Sequence, residues 1–80
     1  MSRPNKGELY STGSLPIYLG KHSRLTENVD FITYSGEFII LNVIYFDIFF
    51  GEPLYRLKVL TTTGIVGWCD SADRMNKISL

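Results

Sequence analysis

Catalysis and metal binding need nucleophiles, bases or clustered ligands, and this chain carries few of them. Cys69 is the one cysteine and His22 the one histidine. They lie far apart in the chain, no base is placed beside the thiol, and Cys69 reads as a small buried hydrophobe. A single cysteine excludes an internal disulfide, and a four-ligand zinc site would need ligands from elsewhere. Asp70 and Asp73, with Glu37 and Glu52 elsewhere, are the carboxylates to consider as an acid–base pair. Their position around Ser71 and Ala72 suits them instead to capping a short helical turn. Lys21, His22 and Arg24 form a basic cluster able to accept a phosphate or carboxylate. Glu27 and Asp30 follow closely and offset its field, so a solvated loop is the reading. There is no glycine-rich phosphate loop, no Ser-His-Asp set and no metal-ligand spacing. The sequence therefore predicts neither an enzyme nor a cofactor or metal site.

What remains is contact chemistry. Residues 46–50 read Phe46, Asp47, Ile48, Phe49, Phe50. Strict alternation puts Phe46, Ile48 and Phe50 on one face and Asp47 with Phe49 on the other. At a hairpin tip these side chains cannot all reach one small core. Either at least one large apolar group stays exposed and marks a contact, or the segment folds back over an open end of the core. Trp68 also has two readings, as the floor of a peptide or glycan groove or as a cover for one end of the core, with Val66 on its face. Tyr18 and Tyr55 are the tyrosines that would join Trp68 in a groove.

These residues must be positioned by short strands. Residues 15–19 form a strand candidate in which Pro16 demands an edge or a strand start. Residues 20–28 read as a polar loop. Residues 29–34 and 37–46 read as two strands separated by a turn at Ser35 and Gly36, the second rich in Ile, Val, Phe and Tyr. The chain reverses through Gly51 and Pro53. In the next strand Tyr55, Leu57 and Val59 share one face while Arg56 and Lys58 take the other. Residues 61–64 make a hairpin connection, residues 65–69 a strand, residues 70–75 a tight helical turn, and residues 76–80 a last short strand. Residues 1–9 read as a flexible arm and residues 10–80 as the domain.

Composition agrees with one small domain. The chain has eighty residues, 45% hydrophobic and 14% aromatic, enough for a core and too rich for disorder. Eight basic residues balance eight acidic ones, which argues against nucleic acid and against docking to an anionic membrane. Residues 38–50 are the most apolar run, too short and too interrupted to span a bilayer. The N-terminus lacks the apolar stretch of a signal peptide, and a reducing cytoplasm is the expected compartment.

The second half of the chain resembles bacterial Src-homology-3-like domains. The strand of residues 55–59, a glycine-containing turn, the GIVGWC run over residues 64–69, a polar helical turn and a closing strand follow that order. Residues 35–41 resemble the turn and strand that come before. Cys69 stands where the family has Val, and residues 45–53 are longer and more apolar than the family's hairpin loop. The small solitary chain also resembles accessory proteins of bacteria or phages, for which host cytoplasm or virion would be the location. The resemblance implies an all-β, five- to six-stranded barrel with one helical turn before the last strand, and binding of peptides, cell-wall glycopeptides or other proteins. The leading expectation is a non-catalytic protein–protein interaction module, self-associating or not, working through residues 45–53. The alternatives are a peptide or glycan binder using Trp68, Tyr55 and Tyr18, and a binder of single-stranded nucleic acid.

Overall fold

The computed structural model describes residues 4–20, 30–71 and 74–79, with the backbone alone for Phe46, Asp47 and Phe49. The described residues are all-β, in one compact sheet of five antiparallel strands. These are β1 (Leu9–Tyr18), β2 (Phe31–Phe49), β3 (Glu52–Thr61), β4 (Val66–Asp70) and β5 (Asn76–Lys77). The order is β2-β3-β4-β1-β5, and β1 also pairs with β2.

β2 organises the molecule. The sequence predicts two strands split by a turn at Ser35 and Gly36, but the structure has one 19-residue strand. Its first part pairs with β1, from Tyr18↔Phe31 to Leu9↔Ile39. Its second part pairs with β3, from Phe38↔Thr61 to Phe49↔Glu52. The turn residues serve a bend instead. Gly13 and Ser14 of β1 face only Ser35 of β2, a bulge that increases local twist. Gly36 has a φ of 139°, and a Cβ there would lie 2.8 Å from the Tyr34 hydroxyl. The Tyr34 ring thus occupies the space the glycine leaves. Its hydroxyl donates to the Glu37 carbonyl and pairs with Thr62 Oγ1 at 3.0 Å. Two more bulges, at Leu41 and Phe46, follow along β2.

The core lies on the inward face of this bent sheet. Leu15 and Ile17 of β1, Phe38 and Ile40 of β2, Leu57 and Val59 of β3 and Cys69 of β4 are fully buried there, with Tyr10 and Tyr34 beside them. Each such Leu, Ile or Phe contributes about 1.5–3 kcal/mol by burial. The expected alternation of β3 is observed, with Tyr55 also packed against this cluster. β4 approaches β1 at Gly67, where a Cβ would stand 2.4 Å from Ile17 Cγ2 and 2.7 Å from the Tyr18 carbonyl oxygen. Only a glycine permits that approach, and it allows the pairing Tyr18↔Trp68.

The turns follow their residues. Between β3 and β4, Gly64 N–H donates to the Thr61 carbonyl at 3.0 Å and Gly64 takes a φ of 89°. Thr61 Oγ1 accepts the Ile65 amide at 3.0 Å, closing the expected hairpin. Pro16 sits in a part of β1 whose other edge pairs with neither β4 nor β5. Residues 5–9, expected within a loose arm, are tied down: Gly7 N–H donates to the Ile40 carbonyl and Ile40 N–H to the Glu8 carbonyl.

No helix occurs among the described residues. The helical turn expected over residues 70–75 falls partly on Ala72 and Asp73, which lie outside the described residues, and Asp70 is the last residue of β4. Arg74 is held by the Thr12 hydroxyl, which donates to its carbonyl at 2.7 Å. The final strand is shorter than expected, two residues bound to Tyr10 and Ser11 of β1. No helix of the described residues is long and apolar enough to cross a membrane.

Candidate functional site

The β2–β3 hairpin is the element with contact chemistry. β3 pairs with β4 only from Arg56 onward. Residues 44–55 therefore form a two-stranded ribbon that extends past β4. The ribbon has strand-forming residues on both sides, but among the described residues no second layer lies opposite its tip to bury them. Tyr45 is 56% exposed and Ile48 63%. At its root Tyr45 and Tyr55 make an edge-to-face pair with ring centres 6.0 Å apart.

The tip is a two-residue turn. Phe49 pairs with Glu52, leaving Phe50 and Gly51 at the corner with φ of 50° and 79°. Positive φ at both corner positions is the hairpin geometry that favours Asn-Gly or Asp-Gly. Gly51 is suited to it, whereas Phe50 is not. A left-handed backbone costs a residue with a Cβ roughly 1–2 kcal/mol, and the Phe50 side chain is 92% exposed. Of the segment singled out in the sequence, Ile48 and Phe50 are exposed, while the side chains of Phe46 and Phe49 lie outside the described residues. A bulge at Phe46, between Tyr45 and Asp47, interrupts the backbone pairing at the start of this segment.

The groove residues do not converge. Directly paired residues of antiparallel strands share a face. The pairings therefore line up one outer row, Asn42, Lys58, Trp68, Tyr18 and Phe31, which begins and ends on β2. Trp68 and Tyr18 are neighbours in it, and Tyr18 packs on Phe31 with ring centres 5.4 Å apart. Tyr55 points to the opposite, inward face with Leu57. Trp68 neither joins the inner cluster nor offers a surface, since it is on the outer face yet only 6% exposed. The exposed aromatic of the row is Phe31, which the sequence reading passed over. Its signal was present in the apolar start of β2, but which face it would take depended on the register with β1.

The charged residues are structural in their geometry. Arg56 Nε lies 2.7 Å from Asp70 Oδ1 on the outer face, next to the root of the ribbon. Burial pushes the Asp70 carboxyl up from its ordinary value, and Arg56 pulls it the other way. The capping expected of Asp70 together with Asp73 falls partly outside the described residues. Lys77 bridges to Glu8 and, with the Asn5 amide, holds the Glu8 carboxyl below its ordinary value. Cys69 is buried in the core as expected. Lys21, His22, Arg24 and Glu27 lie outside the described residues, as does Asp73. Comparison with protein-family models, with curated proteins and with solved structures found no match.

Proposed function

We propose that this chain is a non-catalytic protein-interaction module that engages its partner through the β2–β3 hairpin. Phe50 carries the proposal. A large aromatic 92% exposed at a projecting corner, in a backbone conformation unfavourable for it, presents apolar surface to a partner. Asn at the same place would suit the turn better and remove an apolar side chain from solvent. Strain of this kind is retained where the side chain has a use. A buried end for an aromatic at a projecting tip is a pocket or surface on another protein chain.

The framework that presents the hairpin is, on this proposal, a closed Src-homology-3-like barrel. Its support is the ladder itself: β2-β3-β4-β1 returns to β2, and the row from Asn42 to Phe31 circles through all four strands. A reducing compartment fits the single, buried cysteine. Glycan or peptide binding through Trp68, Tyr18 and Tyr55 has less support, because Trp68 is covered and Tyr55 faces the other way. Nucleic-acid binding has only the Tyr18–Phe31 pair, with Lys58 beyond Trp68 in the same row, and lacks the positive excess such a surface needs.

The test is site-specific photocrosslinking in the producing cell. A benzophenone side chain at position 50 is expected to form discrete adducts, and the same group at the exposed Thr33 is not. Phe50→Asn is the companion variant, expected to raise stability by about 1 kcal/mol by relieving the left-handed strain. Absence of adducts, or equal adducts from both positions, would leave Phe50 as an ill-chosen turn residue and the proposal without its basis.

A further inference from the structure

Resting on that reading, we infer that the partner is a second copy of this chain, added antiparallel to the edge of β2 around Ile44. The edge is visible in the pairing. On its β1 side β2 is covered as far as Ile40, by Leu9 and by the bonds of Gly7 and Glu8. From Leu41 onward no described strand lies on that side. The Val43 amide is taken by the neighbouring Asn42 Oδ1 at 2.9 Å rather than by β3, so it points toward this edge. A residue's N–H and C=O point the same way and alternate along a strand. Tyr45, in register with Val43 until the bulge at Phe46, directs its groups to the same side.

Such an edge takes an extended strand. No proline, lysine or other charge lies between Glu37 and Asp47 to oppose it, and an added strand has only to follow the bulges at Leu41 and Phe46 and displace Asn42 Oδ1 from the Val43 amide. The choice of a second copy follows from symmetry and charge. A twofold axis at Ile44 sets Val43 of one copy against Tyr45 of the other, and both outward-pointing residues exchange both hydrogen bonds. Ile44 then meets its own counterpart, and the exposed Tyr45 side chains flank that contact. The chain carries eight charges of each sign, so two copies do not repel at long range. In this antiparallel arrangement the two Asp47 backbones are about 20 Å apart along the strands, beyond the screening length of about 8–10 Å. A parallel pairing would place them side by side.

The arrangement also gives Phe50 a destination. Six positions past the axis, the tip reaches the level of the partner's residues 38 and 39, where Gly7, Glu8 and Leu9 already hold the strand edge, so it leaves the edge and crosses onto the outer face. There the surface has an open, mostly apolar groove of about 210 Å³ between Leu9, Ile39 and Leu60, with Glu37 and Thr62 at its rim. The groove lies on the outer face, where Leu9, Ile39 and Leu60 form one row.

Sedimentation equilibrium of the purified full chain, from low micromolar to several hundred micromolar, is expected to show a monomer–dimer equilibrium. Amide exchange at Val43 and Tyr45 should slow by about tenfold or more in the dimer. Ile44→Cys should cross-link to itself on mild oxidation, because Cβ atoms of directly opposed residues lie about 4.5–5.5 Å apart, whereas Thr33→Cys should not. Ile44→Lys, which sets two ammonium groups against each other, should give a monomer with an unchanged urea midpoint. A strict monomer whose position-50 adducts contain a different protein overturns the second copy and leaves the interaction reading standing. A dimer without cross-linking at position 44, or with edge amides exchanging as in the monomer, overturns the β2 pairing. A monomer without position-50 adducts removes both.

Discussion

The two ends of the β2–β3 pair are written in the same residue types and have opposite fates. At the closed end, Phe38 and Ile40 face Leu57 and Val59 across a core that buries all four. At the ribbon end, Tyr45 and Ile48 stand against Tyr55 and Pro53, and much of their surface stays in water. Alternation makes a strand amphipathic, but it does not supply the second layer. Where β1 and β4 provide one, alternation becomes a core. Where the hairpin runs past them, it becomes an apolar arm whose register is held by hydrogen bonds and the Tyr45–Tyr55 contact. An apolar group is thus stabilising or available for contact according to what the rest of the chain places opposite it.

That contrast can be broken by mutation, beginning at the closed end. Leu57→Ala should cost about 3 kcal/mol, as a fully buried leucine leaves a cavity in a close-packed core. Urea denaturation measures it, and a loss as small as that of a surface variant would mean the closed end is not the core. Gly67→Ala should cost about 2 kcal/mol, since the new methyl meets the Tyr18 backbone as well as the Ile17 side chain and must force β4 from β1. Loss of the Tyr18–Trp68 pairing should appear as faster amide exchange confined to those strands.

At the ribbon end the expected effects are smaller and differ in sign. Phe50→Asn should stabilise by the amount given above. Ile48→Ser should change the unfolding free energy by no more than about 0.5 kcal/mol. A ribbon that was in fact the stabilising half of the molecule would reverse this order.

The smallest effects are electrostatic and sharpen the contrast by pH. Glu8 titrates below its ordinary value of 4.5 in the folded chain. Its contribution is present above that unfolded value and is lost as the pH falls through the lowered folded one. Glu8→Gln should therefore flatten the acid limb of a stability–pH curve below pH 4.5. Asp70 has the opposite sign: with its folded value raised above 3.8, its contribution declines as the pH rises through that interval. Asp70→Asn should make the acid limb steeper, and a parallel response of the two variants would contradict the assigned environments.

Much of the architecture was legible from local chemistry. Period-two patterning placed β3 and its inward residues Leu57 and Val59. Gly64 after three threonines marked the β3–β4 turn, and the excess of large apolar groups in residues 46–50 left an exposed tip and a folded-back segment both open, of which the exposed Ile48 and Phe50 fit the first. Each of these follows from a side chain and its near neighbours. Ser35 and Gly36 show where such reading ends, because the same dipeptide permits a turn or a bend. Tyr34 lying over Gly36, bonded to Glu37 and Thr62, selected the bend and merged two expected strands. The candidate groove failed for a related reason: register, set by bulges opposite Ser35 and at Leu41, put Trp68 beside Tyr18 and turned Tyr55 to the other face.

The residue order alone determined that the chain would form strands with an apolar side, since alternation and turn propensity act over a few residues. Only the tertiary structure decided which apolar sides were covered. That outcome depends on bulges, on the close approach at Gly67 and on where neighbouring strands stop. Burial is a property of pairs of surfaces, and the second surface is not written beside the first.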